Sequence, residues 1–118
     1  MTIYKEFTFD SAHYLPFVSP GHKCGQLHGH TYRLTVFASG PVQPETGWVM
    51  DYHELKKAVE PVIIRLDHRL LNEVPGLENP TSEVLAAWLW EQIRPRLPLL
   101  DRIELKETPG SGVIFRGS

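Results

Sequence analysis

Two stretches of this chain alternate apolar and polar residues with a period of two, and both carry histidines on their apolar parity. In the first, Ile3, Phe7 and Phe9 share one side, Tyr4, Glu6, Thr8 and Asp10 share the other, and His13 falls with the phenylalanines. In the second, Tyr32, Leu34, Val36 and Ala38 share parity with His28 and His30 where the backbone is extended. That period is the mark of a half-buried strand, so the pattern predicts two strands whose imidazoles converge on the buried side. Residues two apart on a strand lie roughly 6.5 Å apart. Two imidazoles can bridge that span to hold one ion at about 2.0–2.1 Å.

The remaining elements follow from caps and spacing. Gly40–Pro41 through Gly47 reads as a loop, and Asp51 with Glu54 reads as the start of a helix bearing Leu55, Val59, Val62, Ile63 and Leu66 on one face. Pro61 is expected to kink or divide that helix. A second loop, Pro75 to Pro80, leads to Thr81-Ser82-Glu83, which caps a helix carrying Val84, Leu85, Trp88, Leu89 and Ile93 and ending before Pro95 and Pro98. Of Trp88 and Trp90, one should be core and the other interface or surface. Ile103 and Leu105 alternate with charged residues, and a turn at Pro109-Gly110-Ser111-Gly112 leads into Val113-Ile114-Phe115. The order strand, strand, helix, helix, strand, strand predicts an α+β domain over 1–118: a four-stranded antiparallel sheet with two helices on one face. Two open edges would favour closure by neighbouring subunits into an oligomeric β-barrel.

The chemistry centres on Cys24 and His28-Gly29-His30, read as C-x3-H-G-H, together with His13. Three imidazoles with no second cysteine suit a catalytic zinc site, which keeps a position open for water or substrate; structural sites are usually closed by four ligands rich in cysteine. Beside a cation the Cys24 thiol is acidified and can act as base or nucleophile. The alternatives are that it closes the site as a fourth ligand or is inert. Asp67-His68 at a helix end is a weak signal for an oriented imidazole. Glu107 occupies the apolar parity of Ile103 and Leu105, where a carboxylate needs a donor: a ligand with adjacent N–H groups, or a neighbouring backbone group or arginine. His22 and His53 read as solvated. A formal charge of −2 without a Lys/Arg run argues against nucleic acid or an anionic membrane as partner. A single cysteine, no signal-like opening segment and no long apolar run point to a cytoplasmic protein.

The segments F-D-S-A-H ending at His13, C-G-Q-L-H-G-H from Cys24 to His30, L-D-H-R-L-L-N around Asp67-His68, N-P-T-S-E around Thr81-Ser82 and K-E-T around Glu107 resemble, in order and spacing, the 6-pyruvoyltetrahydropterin synthase family. The gap between Cys24 and His28 resembles the bacterial queuosine-pathway branch; the biopterin-forming branch usually has a longer one. The resemblance implies the tunnel fold, with trimers closing a twelve-stranded barrel and two trimers stacking into a homohexamer whose active sites are shared between subunits. It implies a pterin triphosphate substrate: 7,8-dihydroneopterin triphosphate and water would give 6-carboxy-5,6,7,8-tetrahydropterin, acetaldehyde and triphosphate. Zinc would sit on His13, His28 and His30. Cys24 would take a proton, and His68 backed by Asp67 would relay protons. Glu107 would anchor the pterin and share in the proton relay as a catalytic residue, with Thr81 and Ser82 adding polar contacts to the ring. Lys23, Arg33, Lys106 and Arg116 stand as unranked candidates for the triphosphate. Alternatives are a synthase that eliminates triphosphate only, and a non-catalytic, zinc-stabilised binding module.

Overall fold

The structure, a computed structural model, describes residues 1–117; Ser118, the last residue of the expected domain, lies outside them. Strands β1 (Thr2–His13) and β2 (His28–Ser39) pair antiparallel over their whole length, from Thr2 opposite Ser39 to His13 opposite His28. Their alternation is the one read from sequence: Phe9 and His13 are buried while Thr8 and Asp10 are exposed, and Tyr32, Leu34, Val36 and Ala38 are fully buried. There follow α1 (Tyr52–Ile64), β3 (Arg69–Leu70), α2 (Ser82–Ile93), β4 (Leu100–Thr108) and β5 (Ser111–Phe115), and the sheet runs β3-β1-β2-β4-β5.

The sheet therefore has five strands, not four, and is mixed. β3 pairs parallel with β1, Ser11 against Arg69 and Ala12 against Leu70. Two residues are too few to show a period, so this strand leaves no trace in the alternation. It forms because the chain leaving α1 is drawn onto the edge of β1, where His68 N–H donates to Asp10 O at 2.6 Å and Asp10 N–H donates to Asp67 Oδ1 at 2.9 Å. The other four strands are antiparallel, as read.

Both helices start where their caps predict. The Asp51 side chain accepts from His53 N–H at 2.9 Å and Thr81 Oγ1 from Val84 N–H at 3.1 Å, each worth about 1 kcal/mol. Pro61 does not divide α1, which continues to Ile64. The donor that proline lacks would have met the carbonyl of Lys57, one turn back on the solvent side, where water can replace it. The buried faces, Leu55, Ala58, Val59 and Val62 of α1 and Leu85, Ala86, Trp88, Leu89 and Ile93 of α2, pack on the sheet with Leu34, Val36, Ile103 and Leu105. Each leucine so buried contributes about 1.5–3 kcal/mol, which outweighs intrinsic propensity for helices this short. Trp88 is core; Trp90 is half-buried, its ring edge-on to Phe115 at 5.8 Å. Among the described residues no helix is long and apolar enough to cross a membrane.

Candidate metal centre and active site

Antiparallel pairing sets His13 opposite His28 and Ser11 opposite His30, so the three imidazoles meet at one end of the sheet, on its helix-covered face. Ring centroids are 4.5 Å apart for His13–His28, 5.0 Å for His13–His30 and 4.9 Å for His28–His30. Backbone carbonyls, which only accept, assign two tautomers: His13 Nδ1 donates to Pro80 O at 2.9 Å and His28 Nδ1 to Gln26 O at 2.7 Å. The two Nε2 atoms, 3.0 Å apart, therefore face each other as lone pairs unless one ring takes a second proton. Burial disfavours that proton: burial first, then the neighbouring His28 and His30, hold His13 below the ordinary imidazole value against the opposing pull of Pro80 and Glu107. Burial likewise lowers His30, with Glu107 opposing and His28 adding.

His30 Nε2 is buried with no hydrogen-bond partner. Glu107 Oε1 lies 3.5 Å from it and 3.5 Å from His13 Nε2. Bare ring nitrogens, an orphaned one and a carboxylate converging in one place form a donor set that a cation satisfies. The donor atoms of the three histidines lie within 4.8 Å of one another, and tetrahedral zinc with bonds of about 2.0–2.1 Å sets its ligands about 3.3 Å apart. The residues fit the ion. Neutral imidazole suits zinc, and burial favours that neutral form for His13 and His30.

Cys24 is half-buried on a single 3-10 turn (Lys23–Gly25). It lines a cavity of about 380 Å³ with Lys23, His28, His30, Glu107 and Thr108 but stands outside the histidine cluster. His22, read from sequence as a residue without a role, caps this turn: its Nδ1 accepts from Cys24 N–H at 3.0 Å. Of the four basic candidates only Lys23 lines the cavity. Arg33 and Lys106 are paired opposite each other at exposed positions.

Asp67 and His68 form a pair, His68 Nδ1 to Asp67 Oδ2 at 3.0 Å. The hydrogen bond from Asp10 N–H, then that with His68, hold the Asp67 carboxyl below its ordinary value. His68 has a left-handed backbone, φ 58°, and is 77 % exposed. His68 lines a second hollow, of about 590 Å³, with Asp10, Ala12, Gly29 and Thr31, outward residues of β1 and β2, and with Ser11 and His30; His30 also lines the Cys24 cavity. Within one chain, then, His68 and Cys24 line two different hollows that share His30. Thr81 and Ser82 begin α2, whose preceding Pro80 carbonyl holds His13; the Thr81 oxygen is occupied as the cap, and neither residue lines the Cys24 cavity.

The sequence reading missed Tyr32 as a site residue. Its hydroxyl lies 3.2 Å from His13 Nδ1, and burial, reinforced by the Glu107 carboxylate, pushes it well above the ordinary phenol range. Its position two residues beyond His30, on the same parity, was the available signal.

The sequence matches the 6-pyruvoyl tetrahydropterin synthase family over residues 2–118. It is 42% identical over 112 residues to a 6-carboxy-5,6,7,8-tetrahydropterin synthase of Synechocystis sp., covering 90% of this chain and 85% of that one. It is 40% identical over 109 residues to a dihydroneopterin monophosphate aldolase of Pyrococcus furiosus, covering 90% and 89%. Among solved structures, the 6-pyruvoyl tetrahydropterin synthase of Caenorhabditis elegans superposes with a TM-score of 0.93 at 29% identity, covering 100% of this chain and 96% of that one.

Proposed function

The chain belongs to the 6-pyruvoyl tetrahydropterin synthase family, and from that premise we propose that it is a zinc-dependent 6-carboxy-5,6,7,8-tetrahydropterin synthase. It converts 7,8-dihydroneopterin triphosphate and water to 6-carboxy-5,6,7,8-tetrahydropterin, acetaldehyde and triphosphate, in the cytoplasm and in the service of queuosine biosynthesis. The observation that carries this reading is the three-histidine cluster, two of whose rings, His28 and His30, share one cavity with a free thiol and a carboxylate. The 42% identity to the Synechocystis synthase supports the branch.

His13, His28 and His30 would hold the zinc, which when bound supplies Lewis-acid polarisation of the substrate's side-chain oxygens. Cys24, on the cavity wall, takes a proton from the side-chain carbon. Glu107 receives the 2-amino and N3–H edge of the pterin, the adjacent donors its carboxylate is shaped to accept. Lys23, on the same wall, faces the triphosphate, and Thr81 and Ser82 add contacts at the ring. His68, oriented by Asp67, returns protons to the side chain. His68 and Cys24 line different hollows of one chain, and in a homohexamer of two barrel-forming trimers a neighbouring subunit would bring its dyad to the Cys24 cavity.

Anaerobic incubation of the zinc-loaded protein with 7,8-dihydroneopterin triphosphate, followed by mass identification of the pterin and trapping of volatile aldehyde, tests the reaction. Equal amounts of 6-carboxytetrahydropterin and acetaldehyde are expected. A pyruvoyl pterin without aldehyde would assign the elimination-only reaction, and no product from a protein that keeps its zinc would assign a binding module.

A further inference from the structure

We infer that Asn72 is a positioning residue for the Cys24 loop: its carboxamide pins the chain between His13 and Cys24 and so sets where the thiol stands relative to the histidine cluster. The inference rests on the reading of Cys24 as the proton-abstracting group. β1 ends its ladder at His13, and Tyr14 has no strand partner. Both backbone groups of Tyr14 are instead taken by one side chain. Tyr14 N–H donates to Asn72 Oδ1 at 3.1 Å, and Asn72 Nδ2 donates to Tyr14 O at 2.9 Å. A carboxamide that gives and receives against a single residue reproduces the exchange of a hydrogen-bonded strand pair.

The link reaches the thiol in one further step, because Leu15 N–H donates to Cys24 O at 2.8 Å. The other bonds of the Cys24 turn, Cys24 N–H to His22 Nδ1, Gly25 N–H to His22 O and Gln26 N–H to Lys23 O, are internal to it. They fix its shape, while its place is set from two sides: Gln26 O, at the end of the turn, accepts from His28 Nδ1 of β2 at 2.7 Å, and the Asn72–Tyr14–Leu15 path ties it to the end of β1.

The same side chain reaches the other flank of the His13 ring. Asn72 Nδ2 also lies 3.4 Å from Glu78 O, on the run that ends in Pro80, whose carbonyl orients His13. Asn72 further closes a register that the Asp-His dyad opens: Asp10 meets Asp67 and His68, Ser11 meets Arg69, Ala12 meets Leu70 and Tyr14 meets Asn72. The two-residue strand β3 is thus prolonged at each end by a side-chain oxygen standing in for a backbone carbonyl.

Asn72→Ala should keep the zinc content of the unmodified protein, since the ligands are held by the β1–β2 ladder and by carbonyls. Turnover should fall about ten- to a hundredfold with KM changed less than about threefold, the loss expected when a reacting group shifts by about 1 Å. Alkylation of Cys24 by iodoacetamide should quicken severalfold as the loop loosens. Asn72→Asp keeps the size and the acceptor for Tyr14 N–H but sets a carboxylate against two carbonyl oxygens, and should move both readouts the same way. Hydrogen exchange on the unmodified protein needs no variant to fold: the Tyr14 amide should be protected like those of β1. Unchanged turnover and alkylation in both variants, or a Tyr14 amide exchanging as fast as the exposed loop, would overturn the inference. If the unmodified protein makes no product while alkylation still quickens in the variants, the catalytic reading of Cys24 fails and the positioning of its loop by Asn72 stands.

Discussion

Cys24→Ala is expected to lower turnover of 7,8-dihydroneopterin triphosphate by about 10²–10⁴-fold, the contribution of a positioned general base, while zinc content and melting temperature stay close to those of the unmodified protein. The reason is geometric. Cys24 lines the cavity with His28, His30 and Glu107 but is not one of the gathered ligands, and its half-buried side chain carries little of the core. Turnover assays beside metal analysis of the same sample separate the outcomes. Joint loss of zinc and fold would mean that the sulfur closes a structural site, and an undiminished rate would remove the thiol from the chemistry.

Mixing two inactive proteins should restore activity. Cys24→Ala and His68→Ala each disable one half of the proposed site, and those halves line different hollows of a chain. If one subunit supplies Cys24 and its neighbour His68, random reassembly leaves about a quarter of the sites with both intact groups, and the mixture should regain about a quarter of the unmodified rate. Dissociation and reassociation followed by a rate measurement is the assay. A mixture as inactive as its components would mean that both groups act within one chain, or that His68 does not act at all.

What could be read from the residues alone depended on period and cap. The parity shared by Phe9 and His13, and by His28, His30 and Tyr32, sufficed to set three imidazoles on one face, because a strand leaves a side chain only two directions. Asp51 and Thr81 located both helix starts for an equally local reason. What escaped was non-local or too short to repeat. β3 has two residues and exists because Asp10 captures Asp67 and His68 from far along the chain. The Pro80 carbonyl behind His13, the Asn72 clamp on Tyr14 and the cap that His22 places on Cys24 are contacts whose partners no spacing announces. Pro61 does not divide α1 because position decides its cost: near the end of the helix, on the wet side, the missing donor matters little.

In the proposed site three imidazoles hold one zinc with a position left open beside a free thiol, and X-ray absorption at the zinc edge of the loaded protein, without substrate, tests that most directly. The expected first shell is imidazole nitrogen and oxygen at about 2.0–2.1 Å, with outer-shell scattering from histidine rings and no sulfur. A sulfur neighbour at about 2.3 Å would show Cys24 bound to the metal and would contradict it.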